Sequence, residues 1–186
     1  MGDGRSRVGV IADGPGDFTS LKSRYPTLLV TKATGPRGHN VSVDDLASSS
    51  VKQISSLVAR GCAKVILMTD RESRNESSSA LALEIRERLR KYVQSVVVEV
   101  VLPDRMIENW YLADIEQLSK KRVYVRKGLK QKKYEGTHGK SELKKLLVKN
   151  CKYGEVEHGP QLFTTIRTTV ACVNSATFRN FEAYVK

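Results

Sequence analysis

Several features that define common protein classes are missing from this chain of 186 residues. It has three cysteines and no Cys-x-x-Cys spacing, which argues against a disulfide framework and against a cysteine-based zinc site. No apolar run is long enough to span a membrane, and the N-terminus runs into a strand pattern without a secretory apolar region. The sequence therefore predicts a cytoplasmic protein without membrane attachment.

Acidic residues are scarce in one long segment. Between Lys120 and Lys152 there are 13 Lys or Arg residues and two acids, so this segment carries +11 of the net charge of +12. A basic excess confined to one stretch predicts a surface that contacts nucleic acid or phosphate. The alternative is a solvated insertion that keeps the protein in solution. The candidate nucleic-acid-binding residues of this segment are Lys120, Lys121, Arg122, Arg126, Lys127, Lys130, Lys132 and Lys133.

Acids follow two of the apolar runs in the sequence. Asp13 comes after Val8–Ala12, and Asp70 and Glu72 come after Val65–Thr69. Because the carboxyl ends of parallel strands form one edge of a sheet, these carboxylates are expected to lie together there. Carboxylates gathered at one place repel one another, and hard oxygen ligands are those that Mg²⁺ prefers. The pattern predicts a site for Mg²⁺ or Mn²⁺ formed by Asp13, Asp70 and Glu72.

The periodicity of the chain indicates its fold class. Strand patterns over 7–12, 28–30, 64–69 and 95–102 alternate with helical patterns, which predicts an α/β fold with a mainly parallel, Rossmann-like sheet flanked by helices. This core is expected to cover residues 1–118, with a basic and mostly helical extension packed on it over residues 119–186. The predicted helices are 18–24, 44–60, 77–92, 106–118, 141–150, 160–173 and 177–184.

Four further residues near the strand ends have two interpretations each. Asp17 can cap a helix that begins at Phe18, or it can point at the metal site. Glu108 can be a fourth acid of the catalytic site, or a first-turn acid favoured by the helix dipole. Arg71 and Arg74 flank the acidic pair, where they can hold a phosphate or form surface ion pairs. Trp110, by contrast, is expected to anchor the core.

The order of these motifs resembles the Toprim domain of topoisomerases, primases, recombination-repair proteins and nucleases of the OLD (overcoming lysogenization defect) type. The likeness rests on the strand-acid-Gly-x-x-Asp turn at Asp13 and on Asp70-x-Glu72 after a later strand. The segments 105–114 and 174–181, with lysine-rich sequence between them, are similar to blocks of a small stand-alone Toprim-like family of bacterial proteins. Asp13 stands where the Toprim pattern has Glu, and Glu72 stands where it has the second Asp.

This resemblance implies a function. It assigns Asp70 and Glu72 to Mg²⁺ binding and Asp13 to metal binding or general acid/base catalysis, and it implies a Toprim nuclease that acts on DNA or RNA. A partner ATPase of the ABC type, as in OLD systems, and a role in anti-phage defence are further expectations.

Two other functions remain open at this point. One is a non-catalytic effector module that keeps the Toprim fold and binds nucleic acid or protein. The other is a receiver-like signalling domain, which also places acids at strand ends. That class expects a lysine after a later strand, and none follows Val96–Val101.

Overall fold

A four-stranded sheet forms the centre of the protein, whose computed structural model describes residues 7–186. The strands are β1 (Arg7–Ala12), β2 (Leu29–Lys32), β3 (Cys62–Met68) and β4 (Val97–Val101). All neighbouring strands are parallel, and their order is β2-β1-β3-β4. The predicted parallel α/β architecture is therefore confirmed.

Nine helices flank the sheet within the described residues. They are α1 (Pro15–Arg24), α2 (Val43–Ala59), α3 (Ser78–Tyr92), α4 (Glu108–Leu112), α5 (Ile115–Lys121), α6 (Gly139–Leu146), α7 (Glu155–Thr165), α8 (Thr168–Asn174) and α9 (Ala176–Val185). None of these helices combines the length and the apolar character that crossing a membrane requires. Helices cover both faces of the sheet, which is the Rossmann-like arrangement.

The two faces of the sheet bury separate hydrophobic clusters. Val10 and Ile66 point into a cluster formed with α1 and with helices of the C-terminal half. Ile11 and Leu67 point into a second cluster formed with α2 and α3. Since successive side chains of a strand alternate between its faces, the continuous apolar runs of β1 and β3 are explained by burial on both sides.

Trp110 joins the C-terminal extension to the sheet. Its side chain is fully buried, which confirms the predicted core anchor. The indole ring lies 5.4 Å from the ring of Phe178 and 5.2 Å from that of Phe181, measured between centroids. Residues after 118 therefore share a core with the sheet.

Two predicted helices are each broken in two, and one interaction accounts for both breaks. The segment 106–118 forms α4 and α5, and the segment 160–173 lies in α7 and α8. The fully buried carboxylate of Asp114, between α4 and α5, accepts hydrogen bonds from the backbone N–H and the guanidinium of Arg167, between α7 and α8. Both residues have non-helical backbone angles, and each is the N-cap of the second helix of its pair, α5 or α8.

The strand order determines where a ligand would bind. From β1 the chain crosses to β2 on one side, and from β3 it crosses to β4 on the other, so the connections diverge between β1 and β3. Such a switch point leaves a crevice at the carboxyl ends of the two strands. Ile11 pairs with Leu67, which places Asp13 level with Thr69 at this edge.

Candidate acidic site at the carboxyl edge of the sheet

An acidic pocket opens beside the ends of β1 and β3. Its volume is about 200 Å³. The carboxylates predicted from the strand ends, Asp13, Asp70 and Glu72, all line it. The remaining lining residues are Gly14, Gly16, Asp17, Ile107, Glu108, Tyr111, Lys140, Tyr153 and Glu155.

Asp13 is held by two partners. Thr69 donates its hydroxyl to Oδ1 at 2.8 Å, and Arg37 Nε lies 3.2 Å from the same oxygen. Burial nevertheless raises the pKa of Asp13 above its usual value, despite the lowering effects of Thr69 and Arg37. The neighbours of Asp13 therefore do not fully offset the cost of burying its negative charge.

Asp70 has a buried oxygen with no partner. Its Oδ1 accepts no hydrogen bond from any described residue. Burial, followed by the negative charges of Asp17 and Asp13, raises the pKa of Asp70 well above its usual value. A buried acceptor without a partner costs about 1–3 kcal/mol, and more if it is charged. Binding a proton or a cation would remove that cost.

Glu72 stands on a strained turn. It adopts the left-handed region at φ 53°, and its N–H donates to the carbonyl of Arg105, which has φ 68°. Side chains with a Cβ rarely adopt this conformation, and such strain is concentrated at functional sites. The carboxylate accepts a hydrogen bond from His39 N–H at 3.0 Å, and His39 Nδ1 lies 3.3 Å from the same oxygen.

Asp17 lies inside α1, so the predicted cap at the start of a helix from Phe18 is wrong in position. The helix begins at Pro15, a residue favoured at the first helical position, and Asp17 is its third residue. Its carboxylate accepts the N–H of Gly14 at 3.0 Å and also lines the pocket. Burial, followed by the charge of Asp13, raises the pKa of Asp17 to about 8.

Glu108, the predicted fourth acid, combines both interpretations made from the sequence. It is the first residue of α4 and it lines the acidic pocket, almost completely buried. Tyr153 donates its hydroxyl to Oε1 at 2.9 Å. Burial raises the pKa of Glu108, and Lys140 is the strongest opposing influence.

Glu155 and Lys140 are site residues that the sequence patterns miss. Glu155 begins α7, and a Cβ on Gly16 would lie 2.7 Å from the Cβ of Glu155, so the starts of α1 and α7 touch. Lys140 Nζ lies 2.5 Å from Glu155 Oε1. Lys140 lies inside the lysine-rich segment and Glu155 follows it, and no strand-end motif marks either residue. The packing of α7 against α1 brings Glu155 to the pocket, whereas Lys140 belongs to α6, which packs against α4.

The loop between β2 and α2 also reaches the site. It contributes Arg37 to Asp13 and His39 to Glu72, and neither residue is assigned to the site by the sequence patterns. Nε and Nη2 of Arg37 are buried and form no hydrogen bond to a described residue. Burial lowers the pKa of Arg37. A cationic side chain therefore lies among the acids without fully satisfied donors.

The carboxylates that line the acidic pocket are of the chemical type that binds a hard divalent cation. Carboxylate oxygens are the preferred ligands of Mg²⁺, and Asp70 Oδ1 is a buried acceptor in need of a partner. Over residues 7–186, however, no three His, Cys, Asp or Glu side chains are already arranged to hold a metal ion. Asp13 and Glu72 face Arg37 and His39 instead. Each contact uses one carboxylate oxygen, Oδ1 of Asp13 and Oε2 of Glu72.

The predicted phosphate and nucleic-acid contacts differ in accessibility. Arg71 is buried and donates to the carbonyl of Arg74 and to Asp104, and Arg74 donates to carbonyls of Gly38 and Val41, so both fix loops. All eight basic residues predicted between 120 and 133 have exposed side chains. The structure therefore leaves those eight accessible to a polyanion.

One family model matches most of the chain. Described as "Domain of unknown function (DUF4276)", it matches residues 14–186. The chain belongs to this family. No curated protein and no solved structure matches it. The DUF4276 match includes Asp17, Asp70, Glu72 and Glu108, and it begins one residue after Asp13.

Proposed function

We propose that this protein is a Mg²⁺-dependent nuclease that hydrolyses phosphodiester bonds of DNA or RNA. The observation that carries the proposal is Asp70 Oδ1, a buried acceptor without a partner among the described residues, in a pocket with five other carboxylates. Such a pocket is poorly satisfied by the protein alone, and its oxygen donors suit a divalent cation. It lies where Rossmann-like sheets bind their ligands.

Asp13, Asp70 and Glu72 would hold the cation, with Glu108 beside them. A bound Mg²⁺ or Mn²⁺ would supply charge stabilisation for the phosphate and for the attacking oxygen. Thr69 fixes the orientation of Asp13, and the strained backbone at Glu72 directs that side chain to the pocket.

Asp17 and Lys140 would serve the reaction in different ways. Asp17 lines the same pocket, and its buried carboxyl, whose pKa is raised, can act as a general acid. Lys140 lines the same pocket and carries a positive charge that can bind a phosphate oxygen.

The exposed lysines and arginines between 120 and 133 would bind the nucleic-acid backbone. Such contacts are largely independent of sequence and weaken as salt concentration rises. The resemblance to OLD-type nucleases adds an ABC-type partner ATPase, a cytoplasmic location and a role in anti-phage defence to the proposal.

A second candidate function has one observation in its favour. Arg37 pairs with Asp13 and His39 contacts Glu72, as expected of a module that keeps the fold without binding metal. Such a protein would use its basic surface to bind nucleic acid or a protein partner without cleaving it.

The deciding experiment incubates the purified protein with labelled single- and double-stranded DNA and RNA while Mg²⁺ or Mn²⁺ is titrated. The nuclease proposal expects metal-dependent cleavage that Asp70→Asn abolishes. The matched control is Glu84→Gln, which removes an exposed acid from α3 and should leave cleavage unchanged. Binding of nucleic acid without cleavage under either metal would contradict the nuclease and support the binding module.

A further inference from the structure

Cys151 and His158 form a thiol–imidazole pair outside the acidic pocket. Cys151 precedes α7 and is partly exposed, whereas His158 lies within α7 and is buried. The thiol Sγ is 3.7 Å from Nε2, which is within the range of a hydrogen bond to sulfur. Nε2 has no other hydrogen-bond partner among the described residues. A nucleophile within hydrogen-bond reach of a base is the arrangement by which proteins activate a thiol.

A turn before α7 places the thiol beside the ring. Cys151 N–H donates to the carbonyl of Val148 at 3.1 Å, and Asn150 between them adopts the left-handed region at φ 69°. Asparagine is one of the few residues that adopt this region readily. Val148 N–H donates to the carbonyl of Tyr124, whose ring packs edge-on against His158 at 4.4 Å between centroids. The turn and the imidazole are therefore anchored to the same residue.

The backbone of Gly154 holds the other ring nitrogen. Its N–H donates to His158 Nδ1 at 3.0 Å, and its carbonyl lies 3.1 Å from the same atom. With the first contact the ring proton is on Nε2, which can donate to a thiolate. With the second contact the proton is on Nδ1, and Nε2 can accept the proton of the thiol. The imidazole is therefore accommodated both before and after it takes the proton of Cys151.

Charged side chains support a thiolate–imidazolium pair at this position. Lys149 and Lys152 flank Cys151 in the sequence and are exposed. Glu157 Oε2 lies 3.8 Å from His158 Nδ1, on the side of the ring away from the thiol. Reactive cysteines occupy partly exposed positions with basic neighbours.

We propose that Cys151 is a site of reversible oxidation by a peroxide, and that the product is a mixed disulfide with a low-molecular-weight thiol of the glutathione class. His158 Nε2 takes the thiol proton, and the thiolate attacks one oxygen of the peroxide. The S–O bond forms as the O–O bond breaks, and the leaving oxygen receives the proton from His158. The sulfur loses two electrons, which reduce the peroxide.

The second step joins the small thiol to the protein. Its sulfur attacks Cys151 Sγ of the sulfenic acid, so that an S–S bond forms and the S–O bond breaks. The oxygen leaves as water with the proton of the incoming thiol. Cys62 is buried in the cluster beside α2 and α3, whereas Cys151 packs against the other cluster, so Cys62 does not supply the second sulfur.

The modified thiol would stand close to the acidic pocket. Tyr153 follows Cys151 by two residues and donates its hydroxyl to Glu108, and both Tyr153 and Glu155 line that pocket. A group joined to Cys151 would therefore lie beside the segment that forms this wall. The inference goes beyond the proposed function, since the reactivity of the thiol is measured without metal or nucleic acid.

The three free cysteines provide an internal comparison. The reduced protein would be treated with iodoacetamide at pH 7 in EDTA, and alkylation of each cysteine would be followed by peptide mass spectrometry. Cys151 should react about tenfold faster than Cys172, which is also partly exposed but whose pKa is raised by burial. Cys62 is buried and should stay unmodified, so its labelling would report unfolding.

One variant separates the effect of the imidazole from that of exposure. His158→Gln keeps a polar side chain that cannot take the thiol proton, and it should slow alkylation of Cys151 about tenfold without changing Cys172. His138→Gln is the matched control, since it removes an exposed imidazole that contacts Ser141. Hydrogen peroxide followed by glutathione should add one glutathione to Cys151, and dithiothreitol should remove it.

Three outcomes would overturn the inference. One is an equal rate of alkylation at Cys151 and Cys172 in the wild type, a comparison that needs no variant. The second is an unchanged rate at Cys151 in His158→Gln while Cys62 stays protected. The third is glutathione on Cys172 in preference to Cys151, or a disulfide between these two cysteines.

Discussion

Replacing Asp17 by Asn should stabilise the metal-free protein at neutral pH. The pKa of Asp17 is about 8 in the folded state, against 3.8 for an unperturbed aspartate. An acid whose pKa is higher in the folded state stabilises that state most below about pH 4, near the unfolded pKa. This stabilisation decreases as pH rises and is lost above about pH 8, the folded pKa. At pH 7 the folded chain must therefore keep a proton that the unfolded chain releases.

The size of this effect follows from the two pKa values. Keeping this proton lowers the free energy of unfolding by about 1.36 kcal/mol for each pH unit above 3.8. The upper limit of this loss at pH 7 is about 4 kcal/mol. Asn cannot ionise, yet it keeps the oxygen that accepts the Gly14 N–H. The gain should be smaller than the limit because the new amide N–H₂ group has an extra donor to satisfy.

Urea unfolding in EDTA between pH 5 and 9 would measure this gain. Asp17→Asn should be more stable than the wild type by an amount that grows from pH 5 to pH 8. Asp45 is a matched control, since it is also the third residue of its helix but is exposed to solvent. Asp45→Asn should change stability by no more than about 0.5 kcal/mol. A destabilised Asp17→Asn, or a difference that does not vary with pH, would refute the reasoning.

Three further predictions concern the metal, the loop and the basic surface. Mg²⁺ at a hundredfold excess over its dissociation constant should stabilise the wild type by about 2.7 kcal/mol at pH 8, and thermal denaturation should show no such gain in Asp70→Asn. Arg37→Gln should bind Mg²⁺ about tenfold more tightly by calorimetry, because Arg37 competes with the cation for Asp13; weaker binding would show that Arg37 supports the site. A triple variant should bind nucleic acid with a weaker salt dependence when Gln replaces Lys130, Lys132 and Lys133. The slope of log affinity against log salt concentration should fall in magnitude by about 2–3, and an unchanged slope would locate the contacts elsewhere.

Local pattern was sufficient to predict the sheet and the acids at its edge. The strand pattern from 7 to 12 predicts β1, whose last four residues are buried, because a strand buried on both faces has a continuous apolar sequence. Asp13 and Asp70 meet for the same reason, since acids after neighbouring parallel strands share an edge. The start of α1 was predicted three residues late, because the Gly14-Pro15-Gly16 turn also permits a helix that begins at proline.

The residues that complete the pocket depend on tertiary packing. Glu155 enters because α7 packs on α1 at Gly16, a contact between residues 139 positions apart that no periodicity reveals. The break at Asp114 has the same origin, since its cause is the distant Arg167. Arg37 and His39 belong to a loop whose composition indicates a turn and says nothing about what the loop covers.

The loop from β2 to α2 connects the two candidate functions of the acidic pocket. Arg37 pairs with Asp13 and His39 donates its N–H to Glu72, whereas Asp70 Oδ1 has no partner among the described residues. A module that does not bind metal would gain stability by satisfying or replacing Asp70, since a buried polar group without a hydrogen-bond partner is costly. The chain keeps that carboxylate, and it keeps Glu72 on a strained backbone beside it. Both costs are explained if Arg37 and His39 hold the site until a cation displaces them.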